Sequence, residues 1–144
     1  MKRIPLVLAL AFAFSPAAAL AQKAPQPGQN PKTTQAYSML IQHKVQVQAE
    51  LEDLLTQYDS NWPRSKRLQF ELDTVKSEMK KMAEVEESKV IKLTAGYGSL
   101  VIRRIALATE VQMLLEEEGS EWPPLKQRQR ELELLDKEIQ KVMW

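Results

Sequence analysis

The chain has few of the residues that proteins use for chemistry. Its 144 residues include no cysteine, one histidine and four glycines. Without cysteine there is neither a disulfide nor a site for lipid attachment at a signal-peptide cleavage point, so packing alone must stabilise the fold. Neither an HExxH pattern nor a glycine-rich phosphate loop occurs, and no constellation supports polymer hydrolysis by paired glutamates. The sequence predicts no catalytic, metal-binding or cofactor-binding residue, and a protein that is not an enzyme.

The chain also has no excess of charge of either sign. It contains 20 basic and 19 acidic residues. If the first 21 residues are removed, Lys2 and Arg3 leave with them, and 18 basic residues face 19 acidic ones. No polybasic surface is therefore predicted, and nucleic acid is not an expected partner.

The first 21 residues have the pattern of a signal peptide. Lys2 and Arg3 form a positive start, residues 4–14 are apolar except for one proline, and residues 19–21 form a small-x-small cleavage site. The apolar stretch is shorter than the roughly 20 residues that span a bilayer. We expect cleavage before Gln22, a periplasmic or secreted protein, and no stable membrane insertion afterwards.

The rest of the chain is a short linker followed by a duplicated unit. Residues 22–31 contain three prolines and no large aliphatic side chain, which is typical of a disordered linker. Residues 32–144 form one predicted domain, in which residues 32–84 align with residues 92–144 without a gap, at 16 identities in 53 positions. Two Trp-Pro dipeptides, Trp62-Pro63 and Trp122-Pro123, fall in the same place in both units, which indicates a duplication.

Each unit reads as an antiparallel pair of helices. Apolar residues recur at alternating steps of three and four on both sides of each Trp-Pro dipeptide. Proline is tolerated in the first turn of a helix, so each dipeptide is predicted to begin the second helix of its unit. Gly119 suits the left-handed end of the preceding helix, and Asp59 takes its place in the first unit. Ser60 and Ser120 are the candidate N-terminal caps.

One position of each predicted seam is basic, Lys44 in the first unit and Arg104 in the second. Folding each unit about its turn brings these residues near Glu78 and Glu138. The sequence therefore predicts two structural ion pairs, Lys44 with Glu78 and Arg104 with Glu138, one within each hairpin.

The apolar stripe is too wide for one hairpin seam, so the hairpins should dock. The fold class predicted is all-α, with two tandem antiparallel helical hairpins docked as an up-down-up-down four-helix bundle. The alternatives are an elongated tandem and a dimer that uses the same faces. Two glycines in residues 94–98 are predicted to break the chain between the hairpins. The apolar residues beside the seam are Ile41, Val45, Leu55, Val101, Ile102, Ile105, Leu115 and Leu134.

The two turn regions carry a resemblance. Residues 54–79 (LLTQYDSNWPRSKRLQFELDTVKSEM) and 114–139 (LLEEEGSEWPPLKQRQRELELLDKEI) each have a tyrosine or glycine in the turn, then an aromatic residue, a proline and a charged amphipathic helix. In this they resemble the coiled-coil hairpins of bacterial polysaccharide chain-length-determinant proteins, with Trp where those have His. The chain lacks the membrane-spanning helices and the α/β domain of that family. The resemblance implies a structural role in the cell envelope.

The function expected from these features is interaction with proteins. We expect an exported structural or interaction protein of the bacterial cell envelope, which binds an envelope protein or itself through helical faces or the Trp-Pro tips. The candidate partner-binding residues are Trp62, Pro63, Trp122 and Pro123. Each indole can instead lie across its own turn and shield the seam. A periplasmic holdase is the alternative function, and His43 is expected to be a surface residue of its helix.

Overall fold

The computed structural model describes residues 30–144 and consists of four long helices. The predicted signal peptide and residues 22–29 of the predicted linker lie outside the described residues. The long helices are α1 (Gln35–Leu55), α2 (Pro63–Ala83), α3 (Ala95–Glu118) and α4 (Pro123–Met143), and short 3₁₀ helices at Pro31–Thr33 and Glu87–Lys92 precede α1 and α3. The linker boundary is corrected slightly, because Asn30 caps the first 3₁₀ helix through a 2.9 Å hydrogen bond from the Lys32 amide.

The helices begin at positions that repeat with the 60-residue offset. Thr34 and Thr94 cap α1 and α3, and their hydroxyl oxygens accept hydrogen bonds from the amides of Tyr37 at 3.3 Å and Tyr97 at 3.2 Å. A threonine side chain at this position satisfies an amide that the first helical turn leaves without a partner. A proline begins both α2 and α4, as predicted.

The turn chemistry differs from the prediction in the first hairpin. Gly119 has a positive φ of 82°, as expected for the end of α3, but within residues 30–144 no other residue has a positive φ, so Asp59 is not its equivalent. Asp59 instead uses its carboxylate, which accepts hydrogen bonds from the amides of Asn61 at 2.7 Å and Trp62 at 3.1 Å. The prediction that Ser60 and Ser120 cap the next helices is wrong, because the cap positions are Trp62 and Trp122 and neither helix has a side-chain cap.

The four helices pack against one another as an all-α bundle, which confirms the predicted fold class. We call α1 with α2 the first hairpin and α3 with α4 the second. The helix α3 packs against α1, α2 and α4, while α4 packs mainly on α3. The starts of α1 and α3 are adjacent, since an added Cβ on Gly98 would lie 2.9 Å from the Ala36 Cα. We call this end of the bundle the base and the opposite end, with the two turns, the tips.

The core is concentrated at the base and in the first hairpin. One cluster of buried residues joins α1, α2 and α3 at the base. A second cluster lies between α1 and α2, nearer their tip. The second hairpin has only one fully buried side chain near its own tip, Leu125. The base cluster contains Ala36, Leu40, Val75, Met82, Leu93, Val101 and Ile105, and the second contains Val47, Leu51, Leu68 and Leu72.

The connection between the hairpins also differs from the prediction. Gly96 and Gly98 do not break the chain, because α3 already begins at Ala95 and both glycines lie in its first turns. The connection is instead the 3₁₀ helix Glu87–Lys92, whose Val90 is buried together with the following Leu93. These two side chains close the base of the core.

Candidate interaction surfaces

The tip of the first hairpin exposes an aromatic pair. The Trp62 indole stacks on the Tyr58 ring, with the ring centroids 4.9 Å apart and the planes inclined by 21°. Trp62 is nevertheless 48% exposed and Tyr58 43% exposed, and Leu55 beside them is also exposed. The indole therefore covers Tyr58, as the buried alternative required, but leaves much of both rings open to solvent.

The tip of the second hairpin is built differently. Trp122 is half-buried and Leu125, three residues later, is completely buried. The residue that corresponds to Tyr58 is Glu118, which offers no ring for stacking. The two Trp-Pro dipeptides occupy equivalent places, but only the first presents a pair of exposed rings. Pro63 and Pro123 are exposed and begin their helices.

A cleft of about 610 Å³ lies between the tip of the first hairpin and the second half of α3. Its lining is largely charged, with Arg64 and Arg67 from α2 and Glu110 and Glu117 from α3, around a smaller apolar floor. A ligand pocket is normally lined mostly by apolar and aromatic side chains. This cleft marks instead the point at which the two hairpins diverge.

Ser65 is a buried polar residue beside a second cleft, which lies on another side of the first hairpin. Its side chain is 1% exposed, and its Oγ has no hydrogen-bond partner within the described part of the chain. The equivalent residue in the second hairpin is the buried Leu125. An unpaired buried hydroxyl costs about 1–3 kcal/mol.

Replacing Ser65 with alanine is expected to stabilise the protein by about 1 kcal/mol, because the change removes the unpaired hydroxyl and leaves only a small gap. Urea unfolding followed by circular dichroism measures the change in the free energy of unfolding. Ser60→Ala, at an exposed serine of the same turn, is the control and should change it little. A Ser65→Ala variant less stable than the wild type would contradict the absence of a partner for this hydroxyl.

Arg104 joins three helices and two hairpins. Its Nη1 donates to Glu78 Oε1 on α2 at 3.1 Å, and its Nε donates to Asp136 on α4. Burial works against the charged guanidinium, but the hydrogen bond to Asp136 and the charge of Glu78 outweigh it and raise the pKa of Arg104. The neighbouring Tyr97 has a raised pKa, chiefly because of burial and secondarily because of the charge of Glu78.

The predicted ion pairs within each hairpin are therefore wrong. Glu78 bonds Arg104 of the other hairpin and Lys81 of its own helix, at 2.7 Å. Glu138 bonds only Lys141, one turn further along α4, at 2.6 Å. Lys44 has no ion pair with any of the described residues. The reason is that α3 packs against α2 as well as α4, so Arg104 reaches the carboxylate of the neighbouring hairpin.

Two further contacts across helices were not predicted. The His43 Nε2 lies 3.0 Å from Glu71 Oε1, and both side chains are largely buried, so the prediction of a surface histidine is wrong. In the second hairpin Arg128 bonds Glu110 at 3.0 Å and Glu131 at 2.8 Å. The hydrogen bond from Arg128 lowers the pKa of Glu131. Both contacts use glutamates that are identical in the two repeats. This identity was the feature of the sequence that could have indicated them.

The side chains of residues 30–144 that could hold a metal ion are dispersed. Groups of three or more potential metal-ligating side chains do not occur among these residues. None of the four long helices combines the length and apolarity needed to cross a membrane. The described residues expose an aromatic pair at the first tip and apolar side chains on the helices.

Comparison with known proteins adds no relative. No protein family, no curated protein and no solved structure matches this chain. The class that the fold defines is an all-α bundle of two duplicated helical hairpins.

Proposed function

We propose that this chain is an exported, non-enzymatic interaction protein of the bacterial cell envelope, and that the tip of its first hairpin binds a protein partner. The observation that carries the proposal is the Trp62–Tyr58 stack, in which both residues are more than 40% exposed. A tryptophan needed only to shield a hairpin would be covered further. Exposed tryptophan and tyrosine side chains are enriched among the residues that dominate binding energy at protein interfaces.

The charges around the tip indicate the chemistry of the partner. Arg64, Lys66 and Arg67 lie within five residues after Trp62, and all three are exposed. A complementary surface would offer an apolar pocket for the indole with acidic residues at its rim, because such an arrangement favours both encounter and orientation. The turn is well ordered by the Asp59 carboxylate, so little conformational freedom is lost on binding.

The holdase alternative has less support from the surface. Shielding of unfolded clients requires a broad apolar groove. The larger clefts beside α3 carry four glutamates and two arginines in one case and a mixed polar lining in the other. Failure to slow aggregation of a denatured client at stoichiometric amounts would remove this alternative.

A site-specific photocrosslinker tests the proposal. The photoreactive residue replaces the exposed Asn61, which leaves Trp62 intact, in the full chain and, as a matched control, the 87% exposed Trp144 at the base. In intact cells we expect one discrete adduct from position 61 that position 144 does not give, and whose yield falls when acidic residues at the partner's crosslinked surface are neutralised. Adducts that are equally diverse at both positions would contradict a specific partner at the tip.

Replacement of Trp62 with alanine separates binding from folding. We expect the free energy of unfolding to fall by no more than about 1 kcal/mol, since the side chain contributes mainly the stack on Tyr58. Affinity for the captured partner should fall at least about thirtyfold, as for a central interface residue. Trp144→Ala is the control: it removes an exposed contact of the ring with Lys89, so it should lower the free energy of unfolding by no more than about 1 kcal/mol, and it should leave the affinity unchanged. Equal affinities for the two variants would exclude the tip.

A further inference from the structure

The duplication allows each surface of one hairpin to be compared with the same surface of the other. The side of α3 that packs on the first hairpin contains Val101, 1% exposed, and Ile105, 0% exposed. Sixty residues earlier, on α1, stand Ile41 and Val45, which are 42% and 60% exposed. The docking face of α3 thus has an apolar counterpart on α1 that nothing covers among the described residues.

The surface of the first hairpin on which α3 packs, here called the receiving surface, is buried, and its counterpart on the second hairpin is partly exposed. On the first hairpin, which receives α3, Leu40 is 0% exposed and Met82 is 3% exposed. Their counterparts on the second hairpin are Leu100, half-buried, and Val142, which is 39% exposed. The second hairpin therefore has a receiving surface of the same apolar type, on which no helix of residues 30–144 packs.

The charged residues of the two faces are also paired with each other in one position and, within the described residues, not paired in its counterpart. Within the chain Arg104 of the docking face bonds Glu78 of the receiving face. The counterpart of Arg104 is Lys44, which has no ion pair among the described residues, and the counterpart of Glu78 is Glu138, whose side chain is 61% exposed. The local lysine is also repeated, because Lys81 and Lys141 bond the two glutamates in the same way.

Lys44 also lacks an alternative partner within its own hairpin. Arg104 has a second carboxylate at Asp136 on the helix that follows it. The residue equivalent to Asp136 in the first hairpin is Lys76, which has the same charge as Lys44 and bonds Asp73. A carboxylate for Lys44 is therefore absent where the repeat would place it within the hairpin, and an exposed one is present on the other hairpin.

We propose that a second copy of this chain docks on α1, through a contact that pairs the same repeat positions as the contact between the two hairpins of one chain. The helices in this contact lie further apart, because the counterpart of Gly98 on α1 is Ser38, whose Cβ excludes the same close approach. Ile41 and Val45 of one copy pack on the receiving surface of the second hairpin of the next, around Leu100 and Val142. Lys44 of the first copy bonds Glu138 of the next. This interface is independent of the aromatic tip, which lies at the other end of the bundle.

The geometry of this contact is head-to-tail. The two surfaces in contact are different, so a pair of copies still has one free docking face, on one copy, and one free receiving face, on the other. Heterologous contacts of this kind close into rings or continue as open filaments. A two-fold symmetric dimer through α1 would instead place Val45 against Val45 and would leave Glu138 outside the interface.

The absence of cysteine allows a direct test by disulfide formation. The full chain is expressed as Lys44→Cys and, separately, as Glu138→Cys, and the two purified proteins are oxidised alone and as a mixture. We expect a disulfide-linked dimer mainly in the mixture, and a ladder of multimers from the chain that carries both substitutions. Val45→Cys tests the symmetric arrangement. A dimer from Val45→Cys alone, without a product from the mixture, would overturn the head-to-tail contact.

Charge reversal provides a second readout that does not depend on cysteine. Sedimentation measures self-association of the wild type, of Lys44→Glu, of Glu138→Lys and of the variant with both changes. Each single reversal should weaken association by about tenfold or more, and the double reversal should restore it. Glu133→Lys, an exposed substitution with the same charge change on α4, is the control. A wild type that stays monomeric at about 100 μM, or association insensitive to Lys44→Glu, would overturn the proposal.

Discussion

Replacement of Arg104 by methionine is expected to lower the free energy of unfolding by about 2–3 kcal/mol. The guanidinium bonds Glu78 on one side and Asp136 on the other, and thus connects α2, α3 and α4. The Glu78 side chain is only 11% exposed, so loss of Arg104 leaves a nearly buried carboxylate without its partner from the other hairpin. Breaking a fully buried pair costs about 3–5 kcal/mol.

The expected loss is smaller than that upper range for two reasons. Arg104 is itself one quarter exposed, which allows water to replace part of the interaction. Glu78 also keeps Lys81 on its own helix at 2.7 Å. Methionine retains the apolar stem of the arginine, so the change tests the charged contact rather than the packing of the side chain.

Urea unfolding at low protein concentration provides the measurement, with Arg130→Met as the control. Arg130 is exposed on α4, and its replacement should change the free energy of unfolding by less than about 0.5 kcal/mol. Adding Glu78→Gln to Arg104→Met should cost less than Glu78→Gln costs in the wild type, since the two residues are coupled. If Arg104→Met and Arg130→Met unfold alike, Arg104 does not join the hairpins.

The helices could be predicted from the sequence because their signals are local. Apolar spacing, the proline of each Trp-Pro dipeptide and Gly119 each act within a few residues. The threonine caps at Thr34 and Thr94 also have a local signal, a threonine three residues before a tyrosine in both repeats. The all-α fold and the division into hairpins followed from these features.

The contacts between hairpins could not be predicted in the same way. Sequence spacing shows which residues share a face of one helix, but not which neighbour the face meets. Sequence spacing places Arg104 against its own hairpin, whereas the position of α3 on α2 brings Glu78 of the other hairpin within reach. The spacing on α1 gives no sign that His43 has a partner, because that partner, Glu71, belongs to another helix. Exposure of the Trp62–Tyr58 pair likewise depends on how far the hairpin tips diverge.

Replacement of Gly98 by alanine is expected to destabilise the contact between the two hairpins. The helices α1 and α3 approach so closely at the base that an added Cβ would lie 2.9 Å from the Ala36 Cα and 3.0 Å from the Met39 sulfur. The methionine could move, but the Ala36 backbone lies in a fully buried part of the core and cannot do so without shifting α1. Overpacking of this kind costs about 1–3 kcal/mol.

Replacement of Gly96 by alanine, two residues earlier on the same helix, is expected to stabilise the protein. There the nearest atom to an added Cβ is the Thr94 hydroxyl at 3.7 Å, an ordinary contact. Since alanine is favoured over glycine in a helix by up to about 1 kcal/mol, Gly96→Ala should raise the free energy of unfolding by about 0.5 kcal/mol. Gly98→Ala has the same intrinsic gain, yet it should lower that free energy by about 1–2 kcal/mol because the clash outweighs it.

Urea unfolding of the two variants measures whether each substitution raises or lowers the free energy of unfolding. Because both are glycine-to-alanine changes on the same helix, a difference between them cannot come from helix propensity. If Gly98→Ala stabilises the protein as much as Gly96→Ala, α1 and α3 are not in contact at Ala36, and the docking of the two hairpins must be different. If the signs differ as expected, the close approach of the two first helices is what brings Arg104 to Glu78, because both contacts belong to one interface between the hairpins.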